Sequence, residues 1–406
     1  MIFNSGILRQ DLIGTENSSY YSQLKSLFLI SCICFFYGLS AGINIHGFGL
    51  FFEKFDLSSI QISRIFSIDI VGGISISSFV MLLTYNLGLY RIIVFALFLR
   101  NIAVIIFLFS VSYEIICCSM FFFGIAGFII YTSIFQWANY LTVDKVRATY
   151  IAVVITAFGL GIALGPVLLV LTNLEVETTL WISIMISFFI LVPLAYLKNS
   201  APIFTEYKPI KISYLIYSAR IPIICAFAAD YIFYAIQTFL PEFVMSYGYL
   251  QQKAYLIMGY FGLSGLLLSI PFGIILDRYN RIRILMLFSL AIAVCMQIMP
   301  QVINNINYTL ILFLILSSSL NGIIICVFTM LGDKFRGGNL ILANSLVHAI
   351  SAIGGYAGVR ATSSVVDNMG NRGLIFSISS LFLVFLGLLL VEAYKYNKNN
   401  AQYKSA

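Results

Sequence analysis

Charge is what this chain has least of. Asp, Glu, Lys and Arg supply 10% of its 406 residues, where soluble domains carry about 25%. Histidine occurs only as His46 and His348, and there are two tryptophans. No His/Asp/Glu cluster and no glycine-rich phosphate loop with a lysine can be found, so neither acid–base chemistry nor phosphate handling has an evident seat. No metal site or resident cofactor is expected. The seven cysteines (Cys32, Cys34, Cys117, Cys118, Cys225, Cys295 and Cys326) all fall inside apolar runs. They read as small buried hydrophobes, and no disulfide framework is expected. The first 24 residues are polar and mixed in charge, unlike the cationic start of a cleaved leader. The first apolar run is therefore expected to be retained.

Apolar surface is what the chain has instead. It is 61% hydrophobic with a mean hydropathy of +0.99, far too apolar for a soluble globule. About 20 apolar residues cross a bilayer, and about twelve such runs can be counted. In the first half they cover 27–51, 60–83, 92–111, 115–141, 149–171 and 179–197. In the second half they cover 221–244, 254–276, 284–300, 308–331, 340–359 and 373–391. Little chain remains between them to form a separate soluble domain. The expected fold is an all-α polytopic membrane protein, with the lipid bilayer as its main partner.

The net charge of +7 is distributed by side. With both termini and every even-to-odd loop on one face, that face collects 17 of the 23 Lys and Arg residues. The other face holds Lys54, Arg64, Lys253 and Arg372, and Arg100 and Arg360 lie inside spans. Loops rich in Lys and Arg stay in the cytoplasm. Both termini are expected there, in a plasma (inner) membrane, and the basic residues then carry topology rather than a nucleic-acid role.

The sequence also echoes itself. Asp144-Lys145-Val146-Arg147 precedes the fifth run and Asp333-Lys334-Phe335-Arg336 the eleventh, 189 residues later; at the same offset Gly165 falls on Gly354. Internal repeats of this kind are common in secondary transporters. The longest internal hydrophilic stretch, 198–213, separates two halves of six runs each. The chain is divided accordingly into residues 1–197, a linker 198–213, and residues 214–406.

Between the eighth and ninth runs stands Gly273-x-x-x-Asp277-Arg278-x-x-Arg281-x-Arg283. It resembles the inter-span motif of the major facilitator superfamily in its second-half copy, with Asn280 where a glycine is usual. In the first half Tyr85 and Asn86 replace the acid–base pair, and only Gly88 and Arg91 remain. The resemblance implies two pseudo-symmetric six-helix bundles around one cavity. It also implies that Asp277 approaches Arg147 and the amides near Ala148, holding the cytoplasmic face closed, with Arg336 in the repeated copy. Gly161-x-x-x-Gly165-Pro166 resembles the family's antiporter-associated motif and implies gating or export. Ordinary close packing, which also suits Gly354 and Gly358, is the alternative.

Ionisable groups inside spans cost about 2.5–3.5 kcal/mol each at the bilayer centre, so they face a cavity or a partner. Asp230 is the leading candidate for substrate or proton binding, with Tyr234 and Gln237 on the same helix. A fixed partnership with His348 is its alternative. Asp69 and Arg100 are expected to form an intrabundle pair, and Arg360 to bind an anion, meet Asp69 or reach the outer surface. Gln136 and Asn139, three apart on the fourth run beside Trp137 and Tyr140, could hydrogen-bond a ligand. The reading is a monomeric secondary carrier of a small molecule working by alternating access, with proton-coupled efflux of an amphipathic metabolite or drug as its form. A uniporter, a membrane-embedded enzyme and a transporter-like receptor remain as alternatives.

Overall fold

The computed structural model describes residues 5–53, 59–110, 112–142, 144–172, 175–202, 210–370 and 372–404. Residues 203–209 of the linker, with Glu206 and Lys208, lie outside the described residues. So do Lys54 and the side chains of His46 and Pro166.

Fifteen α-helices make up the described chain. The first six spans are built from α1 (Ser5–Glu53), α2 (Ser59–Ile76), α3 (Val80–Phe109), α4 (Tyr113–Leu141), α5 (Arg147–Thr172) and the pair α6 (Val176–Phe188) and α7 (Leu191–Leu197). A short helix, α8 (Ile212–Ser218), precedes the second set. That set comprises α9 (Arg220–Met245), the pair α10 (Gln251–Leu267) and α11 (Ser269–Arg278), α12 (Arg281–Val302), α13 (Ile306–Lys334), α14 (Gly337–Met369) and α15 (Arg372–Lys404). Eleven stretches among the described residues are long and apolar enough to cross a bilayer. The second span is the twelfth, and it is assembled differently from the rest. Gly88 inside α3 has φ 77 and ψ 157, a backbone open to glycine and strained for other residues. The helix therefore breaks there, so Val80–Leu87 extends α2 and the third span starts beyond Gly88.

The two sets pack alike. α1 lies on α5 and α6, α2 and α3 on α4, and α3 on α6; α9 lies on α14 and α15, α10 and α12 on α13, and α12 on α15. Two six-helix bundles related by the 189-residue repeat result. α5 meets α10 and α11 across the boundary, and α14 meets α2, α3 and α4.

Glycines set the closeness within each bundle. A Cβ on Gly161 would strike the α1 backbone at Phe35 and Leu39, one on Gly165 would strike Gly42 and Ile43, and Gly38 and Gly42 are equally tight against α5. Gly354 and Gly358 meet the α9 backbone at Phe227 and Tyr231 in the same way. Where lipid removes the hydrophobic drive, this backbone contact is what holds helices together. Gly161 and Gly165 thus serve α1–α5 packing.

Buried polar groups tie the remaining spans. Ser40 donates to the Ser183 carbonyl at 3.0 Å, Ser183 to Asn44 at 2.5 Å and Ser187 to Asn101 at 2.8 Å. In the second bundle Tyr231 bonds Ser377 at 2.9 Å and Gln297 donates to Ser379 at 2.8 Å.

Candidate functional site

The helix α14 works as a ruler through the molecule, because its residues meet a different layer at each turn. At its first turn, beside the basic loops, charged groups cross the bundle boundary. Arg147, 1% exposed, donates to Asp144 at 2.5 Å and to Asp333 at 2.7 Å. Arg336 donates to Asp144 at 2.9 Å and to the Gly332 carbonyl at 2.6 Å. Arg281 pairs with Asp333 as well. The two copies of the Asp-Lys-x-Arg repeat therefore exchange partners: each arginine reaches the aspartate of the other copy.

Asp277 completes this layer. Its carboxylate accepts from the Ala148 amide at 2.8 Å, the Thr149 amide at 2.9 Å and the Thr149 hydroxyl at 2.7 Å. These are free amides of the first turn of α5, where the helix dipole favours an anion. Gly273 lets α11 approach, since a Cβ there would strike Ala148, Thr149 and Ala152. Arg147 lies within electrostatic reach of Asp277, but its hydrogen bonds go to Asp144 and Asp333, because its guanidinium is turned to those acids. Arg278 and Arg283 are exposed. Asn280 is the N-cap of α12, accepting from Ile282 at 3.0 Å and Arg283 at 3.3 Å, which gives the unusual residue in the motif a local role.

One layer further in, amides bridge the bundles. Gln136 is fully buried; its Nε2 donates to the Gly337 carbonyl at 3.3 Å and its Oε1 accepts from Asn344 at 3.2 Å. Asn139 donates to the Phe135 carbonyl at 3.2 Å and its oxygen abuts Gly332. In this state the two amides lie at the boundary between the bundles, Gln136 bonded across it and Asn139 within its own helix, and both line a cavity of about 440 Å³ that also reaches Arg147 and Arg336. Trp137 is buried as well.

Aromatic rings fill the next layer. His348 lies 4.6 Å from both Phe128 and Tyr131, and Phe135 stacks on Phe328 at 4.4 Å, in each case across the bundle boundary. Tyr131 also contacts Phe158 at 5.5 Å. His348 is therefore part of this plug rather than a partner of Asp230.

Above the plug lies a polar centre. The Ser351 hydroxyl donates to Asp230 Oδ2. Tyr234, against Gly355 of α14, is 46% exposed at mid-span and within electrostatic reach of both Asp230 and Asp69. A side chain close to acids of both bundles and still accessible faces the space between them, not lipid. Gln237 is half-buried on the same helix. Asp69 and Arg100 do not form an ion pair among the described residues. The Arg100 guanidinium, 1% exposed, donates to Ser40 at 3.0 Å and lies over Tyr37 at 5.1 Å and Phe123 at 4.8 Å. Those rings and the hydroxyl hold it, leaving only a through-space influence on Asp69. Arg360 is exposed on α14, four residues beyond Tyr356, and makes no ion pair with Asp69 among the described residues.

Sequence reasoning passed over Ser351, Asn344, Thr149, Tyr131 and Phe328. Serine, asparagine and aromatic residues are too common in membrane helices to stand out singly. Asp144 and Asp333 were visible in the repeat, yet nothing in the sequence said that their arginines cross over.

Comparison with known proteins agrees with this architecture. The profile described as Major Facilitator Superfamily matches residues 30–326 and 223–405. No curated protein matches. Among solved structures, the transporter FucP in the outward conformation, a fucose:proton symporter of E. coli, superposes with a TM-score of 0.73 at 16% identity, covering 89% of this chain and 98% of that one. A bacterial homologue of the iron transporter ferroportin in the outward-facing state gives 0.76 at 13% identity, covering 91% and 99%. The human organic anion transporter MFSD10 gives 0.66 at 13% identity, covering 91% and 98%. These neighbours share the fold, and they are transporters rather than enzymes. With both halves of the chain matched and two six-helix bundles around a polar centre, this integral membrane protein belongs to the Major Facilitator Superfamily of transporters.

Proposed function

We propose that the protein is a secondary carrier that moves a small molecule by alternating access, with Asp230 as the group that couples transport to protons. The bundles 1–197 and 214–406 are the rocking bodies and 198–213 joins them. The basic end is the cytoplasmic one, in a plasma (inner) membrane, so the conformation seen here is closed toward the cytoplasm. The carrier works as a monomer, with the proton as coupling ion and no resident cofactor.

One observation carries this reading. Asp230 and Asp69 belong to different bundles, both lie near the accessible Tyr234, and the boundary below them is sealed in three successive layers. A carboxylate at mid-membrane is costly unless neutralised. Taking up a proton in one orientation and releasing it in the other is work such a group can perform. The motif around Gly161, Gly165 and Pro166 implies export by resemblance, and the aromatic walls suit an amphipathic cargo.

Uptake and counterflow in proteoliposomes over a panel of solutes test the proposal. A carrier shows counterflow, and a proton-coupled one accumulates its solute when a pH gradient is imposed. Counterflow without accumulation identifies a uniporter; no movement of any solute by a folded protein removes the carrier reading.

A further inference from the structure

We propose that the central site takes a monocationic amphiphile, a quaternary or protonated amine with an aromatic body, whose charged centre occupies the place beside Asp230 that a proton holds otherwise. This deepens the carrier reading and rests on it. The argument begins with what surrounds Asp230. Its hydrogen-bond donor is the Ser351 hydroxyl, and among the described residues no cationic side chain acts on it. On α14, His348 is the titratable group within a turn of Ser351, and it is held between Phe128 and Tyr131. From α4 the facing group is Tyr131, from α9 itself Tyr234, and from α2 a second acid, Asp69, which shares Tyr234 with Asp230. In the other bundle Arg100 acts on Asp69, and it does not act on Asp230. It is buried under Tyr37 and Phe123, bonded to Ser40, and its charge acts on Asp69 and Tyr37.

Around Asp230 the centre thus offers a carboxylate, a hydroxyl and tyrosine rings, and no cationic side chain acts on that carboxylate. An anion would lose its water against two acids. A neutral solute leaves the proton on Asp230 and draws no charge pairing from the carboxylate. A cation meets the carboxylate and the negative face of the rings together. A bare metal ion is poorly served, because hard divalent cations take six or more oxygen ligands and no group of three His, Cys, Asp or Glu residues exists among the described ones. The exchange balances simply: the protonated carboxyl of Asp230 gives up one proton as one cation binds to the carboxylate. No bond other than that O–H is broken.

The test uses the purified full chain and three probes of similar size: benzyltrimethylammonium, benzyl alcohol and benzoate. Calorimetry gives affinity, and a pH dye in weakly buffered solution counts protons. The expected result is at least tenfold tighter binding of the cation, with proton release. Cation affinity in the wild type falls as pH is lowered, approaching tenfold per pH unit once Asp230 is protonated. Asp230→Asn weakens cation binding at least tenfold and abolishes proton release, whereas Asp230→Glu retains both. Equal affinity for all three probes, or cation binding indifferent to pH in the wild type, overturns the proposal even if the Asn variant fails to fold. Counterflow separates the two readings. Exchange of a neutral solute but not of the cation leaves the carrier standing and removes the cation. Cation binding with proton release, but no counterflow of any probe, keeps the site and removes the carrier.

Discussion

Arg147 of the first bundle donates to Asp333 of the second at 2.7 Å, while Arg336 of the second donates to Asp144 of the first at 2.9 Å. The two contacts are the same contact seen twice, because each motif is the copy of the other 189 residues away. A repeated sequence has become a reciprocal clasp between the bodies that carry it. Asp277 then binds the α5 amides of the first bundle from the second, without a matching acid in the opposite direction, since Tyr85 and Asn86 stand in the first copy.

Removing the buried end of the clasp should open the basic face. Arg147→Gln leaves Asp144 and Asp333 without their shared donor, and hydrogen bonds to charged groups contribute about 1.5–3 kcal/mol each. Labelling of a cysteine introduced at Asn139 should rise in this variant. The exchanged pair Arg147→Asp with Asp333→Arg should recover part of the protection. Unchanged labelling in Arg147→Gln would show that the clasp does not hold the face shut.

Asp277 acts through geometry as well as charge. Asp277→Asn keeps one acceptor for the Ala148 amide, and Asp277→Ala keeps none. Hydrogen exchange at Ala148 and Thr149 should therefore rise in the order wild type, Asn, Ala. Equal protection in all three would mean that the amides are held by α5 alone.

Asn280→Ala should cost about 0.5–2 kcal/mol through loss of the α12 cap, and Asn280→Gly only a few tenths. Thermal unfolding in detergent can rank the two. If the glycine variant is the less stable, the cap is not what Asn280 supplies.

Gly161→Ala should destabilise the first bundle by about 1–3 kcal/mol, because its methyl group overpacks against the α1 backbone. Gly387→Ala is the control, as nothing lies within 4 Å of a Cβ there. Similar melting of both variants would contradict the packing role.

Much of the fold was legible because bilayer thickness imposes a length that apolar runs either meet or miss. The Gly273–Arg283 turn was legible for the same reason, as charge is rare enough here to mark every loop it enters. Helix faces were not. Membrane helices are apolar all round, so periodicity does not say which side meets a neighbour. Gln136 could be seen as polar within a span, but whether it faces a ligand or Asn344 depends on how α4 and α14 come together. Arg100 was assigned to Asp69 on depth alone, and the true holders, Ser40, Tyr37 and Phe123, are an ordinary serine and two rings. The gap between the run ending at 83 and the run starting at 92 anticipated the break between the second and third spans, which the structure places at Gly88 (φ 77).

The most direct measurement of the central claim is solute accumulation in proteoliposomes under an imposed pH gradient, comparing wild type with Asp230→Asn and recording counterflow in parallel. The wild type should accumulate solute against its gradient, and the variant should lose accumulation while remaining folded. Equal accumulation by both proteins would contradict the assignment of coupling to Asp230.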